Sequence, residues 1–299
     1  MGHLPAAPFG RLLTAMVTPF HNDGRLDLEG AQVLARWLVA HGSEGLVVNG
    51  TTGEAPALSN DETLDLFRAV REAVDVPIIA GSGSNNTAHA IRQSQAAAAI
   101  GCDALLVVTP YYNRPSQAGL ERHFRMVCEA VDKPVVLYDI PVRAGRKIDT
   151  DLIIKLAHEV ENVVALKDAA GSPAETSRVI AEAPDDFAVY SGDDSLTLPL
   201  LSVGAVGVIG VATHWAGVEM RAMIEAIDEG DVALARRINQ RLLASYAFES
   251  TLSAPNPVPT KAMMRVLGHP AGPCRPPLGP TPAGLEAEAK RIHSALHGS

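Results

Sequence analysis

Val163-Val164-Ala165-Leu166-Lys167-Asp168-Ala169-Ala170-Gly171 sets a single lysine at the downstream end of an apolar, β-branched run. Four apolar residues ahead of a charge read as a strand covered on both faces, the situation found in a parallel sheet. Burial there disfavours the ammonium form and lowers the lysine pKa toward neutrality, which an amine needs in order to attack a carbonyl and form a Schiff base. The competing reading is a long stem that carries its charge out to water. The surrounding sequence has to decide between them.

Outward from that stretch, runs of the same kind recur at 12–17, 45–48, 77–80, 104–108, 134–138, 187–191 and 206–209. Together with 163–167 they make eight expected strands. Between them lie segments of helical period, such as 28–40, with Ala31, Leu34 and Leu38 on one face, and 64–74, with Leu66, Phe67 and Val70. Ser59 followed by Glu62, and Ser116, are helix-start signals. Eight β/α units of about 20 to 35 residues each predict a (β/α)8 TIM barrel. A doubly wound sheet is the alternative. No strand reads as an antiparallel edge, and Gly81-Ser82-Gly83-Ser84-Asn85-Asn86 lacks the third glycine of a dinucleotide fingerprint. From about Asp231 only helices are expected, at 232–248, at 259–267, and in a last charged segment with Glu286, Lys290 and Arg291. The sequence thus predicts a catalytic barrel over 1–230 and a C-terminal helical region over 231–299, with a Pro/Gly-rich connector at 268–282. The apolar faces of that region need a partner, either the barrel wall or another subunit.

At 299 residues, 47% hydrophobic and a formal charge of −9, the chain can bury a large core and carries no basic stripe for nucleic acid or an anionic membrane. No apolar run approaches the roughly 20 residues of a membrane span, and residues 1–20 lack the pattern of a secretory signal. A cytoplasmic protein is expected. Cys102, Cys128 and Cys274 are odd in number and show no C-x-x-C spacing, so neither a disulfide framework nor a zinc site is indicated.

In a barrel the chemistry sits at the C-terminal ends of the strands. The second run ends in Asn49-Gly50-Thr51-Thr52-Gly53-Glu54, where two glycines around paired hydroxyls can hold a small carboxylate; a plain turn is the alternative. The fourth ends in Thr109-Pro110-Tyr111-Tyr112-Asn113 and the fifth in Tyr138-Asp139-Ile140-Pro141-Val142-Arg143. Three of only five tyrosines thus fall at strand ends, which favours proton transfer through a phenol. Arg143 is either a solvated charge or a carboxylate clamp. The seventh run ends in Ser191-Gly192-Asp193-Asp194 and the eighth in Ile209-Gly210.

This set resembles the pyruvate-dependent class I aldolases, the N-acetylneuraminate lyase superfamily. Within it, the chain closely resembles the branch that condenses pyruvate with L-aspartate 4-semialdehyde on the way to diaminopimelate and lysine. The likeness runs from Thr14-Ala15-Met16-Val17-Thr18-Pro19-Phe20 through Lys261. It implies that Lys167 forms a covalent imine with pyruvate and that Tyr138 shuttles protons beside it. It also implies that Thr51 links Tyr138 to a Tyr112 reaching in from a neighbouring subunit. Thr52 and its backbone are implied on the pyruvate carboxylate, with main-chain groups of Gly192 and Ile209 around the same site, and Arg143 on the carboxylate of the aldehyde. No metal and no organic cofactor are implied; the partners are pyruvate, L-aspartate 4-semialdehyde and further copies of the chain in a homotetramer built as a dimer of dimers.

N-acetylneuraminate lyases typically carry Ser-Thr in the glycine loop and lack the arginine, so the double threonine, Tyr112 and Arg143 favour the synthase branch. Another sugar-acid or 4-hydroxy-2-oxoglutarate aldolase is the alternative within the superfamily, and a catalytically silent oxo-acid-binding paralogue is the alternative outside catalysis. A metal-dependent barrel is a further rival, because Asp139, Asp168, Asp193 and Asp194 all fall at expected strand ends. The lack of histidine or glutamate companions there weighs against it. In lysine-inhibited members of the branch an acidic residue stands where this chain has His89, and two histidines where it has Asn60 and Thr63. Weak or absent inhibition by L-lysine is therefore expected.

Overall fold

The structure is a computed structural model and describes residues 6–298. Strands β1 (Leu12–Ala15), β2 (Gly45–Val48), β3 (Ile78–Gly81), β4 (Ala104–Val108), β5 (Val135–Asp139), β6 (Val163–Asp168), β7 (Ala188–Ser191) and β8 (Gly207–Gly210) follow one another in sheet order and close into a barrel. Helices alternate with them: α1 (Leu28–Ala40), α2 (Asn60–Ala73), α3 (Thr87–Ile100), α4 (Gln117–Cys128), α5 (Pro141–Ala144), α6 (Thr150–Glu159), α7 (Pro173–Glu182), α8 (Thr197–Ser202) and α9 (Thr213–Asp228). After them come α10 (Val232–Phe248), α11 (Val258–Val266) and α12 (Leu285–His297). This is the (β/α)8 barrel with C-terminal helices that the alternation of runs predicts. Among the described residues no helix is long and apolar enough to cross a membrane. Among the described residues no disulfide joins Cys102, Cys128 or Cys274.

The described residues form two compact units, one of residues 12–76 with 210–298 and the other of residues 77–209 with 6–11. In the first, β1 and β2 pair in parallel with Thr14 opposite Leu46 and Ala15 opposite Val47. The sequence predicts a strand running on to Val17, but β1 stops at Ala15. The cause is His214: the Val17 N–H leaves the ladder to donate to His214 Nε2 at 3.1 Å, and His214 Nδ1 donates to the Val211 carbonyl at 2.8 Å. That pattern requires a neutral ring, and burial pushes the imidazolium pKa down to about 4.

Helix α2 begins at Asn60, earlier than its apolar face suggests, because its first turn is polar and is held by a capping box. Ser59 Oγ accepts the Glu62 N–H at 3.2 Å and Glu62 Oε2 accepts the Ser59 N–H at 2.9 Å. A cap of this kind contributes about 1 kcal/mol. The apolar face of α10 lies against α9, where Trp215 Nε1 donates to Ser245 Oγ at 3.1 Å and the Trp215 ring meets Phe248 edge-on at 6.1 Å. The C-terminal helices thus find part of their partner within this unit.

In the other unit β4 to β8 pair in parallel. Tyr138 on β5 stands opposite Lys167 on β6, which in turn stands opposite Tyr190 on β7. Strand β6 runs one residue past Lys167, so that Asp168 pairs with Asp139. The glycine pair at 81–83 has a packing role: a Cβ on Gly83 would lie 2.4 Å from the Val108 backbone nitrogen, so only glycine lets this loop pass against β4.

Candidate active site

Residues paired across parallel strands point their side chains to the same face, so Tyr138 and Lys167 are brought together by register alone. The Lys167 amine lies 4.3 Å from the centroid of the Tyr138 ring. Lys167 is 5% exposed and Tyr138 is equally buried. Burial lowers the Lys167 pKa to about 8, Arg143 adds to the lowering, and Asp194 opposes it. At pH 7 roughly a tenth of the amine is therefore neutral, far more than in an ordinary lysine.

The stem of Lys167 lies against Gly192, which follows β7 and donates its N–H to the Asp168 carbonyl at 2.7 Å. A Cβ on Gly192 would approach Lys167 Cγ to 2.9 Å and Cε to 3.1 Å. The absent side chain at Gly192 is the space the lysine occupies. Arg143 sits on the single turn of α5, started by Pro141, with its side chain exposed. Ile209 is fully buried in β8. The Thr109 hydroxyl donates to the Tyr138 carbonyl at 3.0 Å and fixes the end of β5. Tyr112 stands apart from this group: its backbone is left-handed, with φ 72°, and its side chain is 90% exposed.

The strand-end aspartates mostly serve the backbone. Asp168 accepts the Thr176 hydroxyl at 2.5 Å and the Ala170 N–H at 2.9 Å; Asp193 accepts the Ser195 N–H at 2.9 Å. Asp139 Oδ1 accepts the Ile148 N–H at 3.1 Å, while Oδ2 is buried without a hydrogen-bond partner. Burial pushes the Asp139 carboxyl up to about 7; Asp168 and Glu175 raise it further, against the Ile148 bond and Lys147. Among the described residues no three His, Cys, Asp or Glu side chains converge as a metal ion requires.

The threonine loop belongs to the other unit. Leaving β2, the chain closes a tight turn in which Glu54 N–H donates to the Thr51 carbonyl at 3.0 Å and Ala55 N–H to the Gly50 carbonyl at 3.2 Å. Thr18 Oγ1 donates to the Gly53 carbonyl at 2.6 Å. Thr51 is half-buried and Thr52 buried. The Thr52 hydroxyl oxygen accepts from Asn256 Nδ2 at 2.9 Å, and Asn256 Oδ1 accepts from Thr260 at 3.3 Å. While its oxygen accepts this bond, the Thr52 hydroxyl still has a proton to donate, which recognition of an anion requires. Sequence reasoning missed Asn256. It sits among prolines ahead of α11, where no periodicity signals a contact with a loop some two hundred positions earlier.

A model of the dihydrodipicolinate synthetase family matches residues 8–296. The chain is 50% identical over 290 residues to the 4-hydroxy-tetrahydrodipicolinate synthase of Moorella thermoacetica, covering 96% of this chain and 97% of that one. It is 46% identical to the enzyme of the same name from Parasynechococcus marenigrum, over 98% and 97% of the two chains. Among solved structures, a dihydrodipicolinate synthase from Bacillus anthracis gives a TM-score of 0.92 at 41% identity, covering 96% of this chain and 98% of that one. DHDPS from Cyanidioschyzon merolae, solved with lysine bound, gives 0.94 at 42% identity over 97% and 98%.

Proposed function

This chain belongs to the dihydrodipicolinate synthetase family, and from that membership we propose that it condenses pyruvate with L-aspartate 4-semialdehyde to 4-hydroxy-tetrahydrodipicolinate, a lyase reaction at the first committed step of diaminopimelate and lysine synthesis. The observation that carries the reading is a buried amine, Lys167, with its pKa lowered to about 8 and a tyrosine ring 4.3 Å away.

Neutral Lys167 attacks the C2 carbonyl of pyruvate to give a carbinolamine. Loss of water, with protons moved through Tyr138, leaves the imine. The positive imine nitrogen acidifies the pyruvate methyl, and proton loss gives an enamine whose carbon attacks the aldehyde. The amino group of the aldehyde substrate then adds to the imine carbon, closes the ring and releases Lys167. The imine serves as the electron sink, so the sequence of steps calls for no metal or organic cofactor.

Thr52 takes the pyruvate carboxylate through its hydroxyl, and the loop backbone assists. Gly192 and Ile209 contribute main-chain groups around the same site. Arg143, exposed and within electrostatic reach of Lys167, receives the carboxylate of the aldehyde substrate. Thr51 and Tyr112 extend the proton path from Tyr138. The exposure of Tyr112 suits a residue that completes its site in a neighbouring copy, in a tetramer of paired dimers working in the cytoplasm.

A coupled assay with pyruvate and L-aspartate 4-semialdehyde tests the reading, with N-acetylneuraminate cleavage run alongside. Turnover of the first pair and none of the second is expected. Cleavage of the sugar acid, or inertness toward both, overturns it.

A further inference from the structure

The residue that ends the threonine loop carries a charge that nothing in the proposed chemistry uses. Glu54 is 3% exposed and left-handed, with φ 57°. Its Oε1 lies 2.5 Å from the amine of Lys261, and its Oε2 accepts the Arg275 N–H at 2.8 Å. Lys261 is completely buried on α11. It also donates to the Pro273 carbonyl at 2.9 Å and stands 4.2 Å from the centroid of the Phe20 ring.

Arg275 lies in the Pro/Gly-rich connector and holds the same neighbourhood by its side chain. It donates to Glu62 through both terminal nitrogens, at 2.6 and 2.9 Å, to the Ala57 carbonyl at 2.8 Å and to the Gly24 carbonyl at 2.9 Å. Its guanidinium carbon is 4.2 Å from the Phe20 ring centroid. The Glu62 bond lowers that carboxyl to about 2.

A buried carboxylate and a buried ammonium in such close contact are each costly alone, and removing one leaves the other uncompensated. The pair therefore fixes a distance, from α11 to a non-glycine residue in a left-handed conformation. That residue is two positions from Thr52 and donates its own N–H to the Thr51 carbonyl. We propose that Lys261 and Arg275 are positioning residues, which clamp Glu54 and thereby hold the Thr51–Thr52 loop in the shape that receives the pyruvate carboxylate. The C-terminal region then acts as part of the pyruvate pocket's frame. This rests on the reading above that the threonine loop binds that carboxylate.

The test is the pyruvate concentration that half-saturates borohydride trapping, measured for the parent, Lys261→Met and Glu54→Gln, together with the half-saturating aldehyde concentration in turnover. Lys261→Met is expected to raise half-saturating pyruvate by about tenfold or more, as displaced binding groups do, and to leave the aldehyde constant unmoved. A role in stability alone lowers the amount of active protein and the maximal rate, with both constants unchanged. Glu54→Gln keeps the shape and removes the charge, so it decides the matter if Lys261→Met fails to fold, and a rise of about threefold or more is expected for it. Parental pyruvate dependence in the variants that fold overturns the proposal. A parent that traps no pyruvate overturns the functional reading instead.

Discussion

Lys167 and Tyr138 are register partners on adjacent strands, and the amine of one lies 4.3 Å from the ring centroid of the other. The pair is fixed by sheet geometry, without help from a loop. It places a buried amine beside a phenol, the two kinds of group that the proposed imine formation calls for.

Because burial lowers the Lys167 pKa to about 8, the initial rate of pyruvate trapping at subsaturating pyruvate should climb about tenfold per pH unit below that value and level off above it. Arg143 contributes to the lowering, so Arg143→Ala should move the inflection upward. Initial rates between pH 6 and pH 10, a range of roughly the reference lysine and histidine pKa values, check both. A profile still rising at its alkaline end would mark an ordinary lysine.

Gly192→Ala should cost turnover without costing the fold. The new Cβ would press on Lys167 Cγ and Cε at about 3 Å, while the backbone there has no left-handed φ to forbid alanine. A displaced nucleophile is expected to lose on the order of 100-fold in kcat. Parental kcat with an unchanged urea midpoint would show that the lysine does not need this space.

Asp139→Asn should stabilise the protein at alkaline pH. The folded chain holds the Asp139 proton up to about 7, whereas the unfolded chain releases it near 3.8, so this group's contribution to stability falls as pH rises between those values. Asparagine cannot ionise and can still accept the Ile148 N–H. A gain on the order of 1–3 kcal/mol at pH 8 is expected, narrowing as the pH falls toward 4. Equal destabilisation at both ends, read from urea unfolding, would contradict this account of Asp139.

Much of this arrangement was legible in the sequence for a physical reason. A lone lysine closing a β-branched run, and a tyrosine closing another, mark their end of the barrel by their place at the end of the run. Ser59 and Glu62 likewise announced the start of α2. What stayed hidden depends on pairs far apart along the chain. Asn256 touches Thr52, Arg275 touches Glu54, and His214 takes the N–H that ends β1 early. None of these leaves a periodic trace, and the connector at 268–282 reads as breaker residues even though its arginine ties together four separate groups.

L-lysine should inhibit weakly or not at all. His89 lies in the first turn of α3 with its backbone held by Asn86, and the Thr63 hydroxyl is engaged with the Ser59 carbonyl. Neither offers the fixed negative charge that an ammonium group calls for. A dose–response of the initial rate checks this, and half-maximal inhibition at submillimolar lysine would contradict it.

The most direct test is peptide mass spectrometry of the protein after incubation with pyruvate and borohydride, beside Lys167→Ala treated in the same way. The account predicts one reduced pyruvyl group, on the peptide holding Lys167, and none in the variant. An adduct on a different lysine, or an unmodified parent, would contradict it.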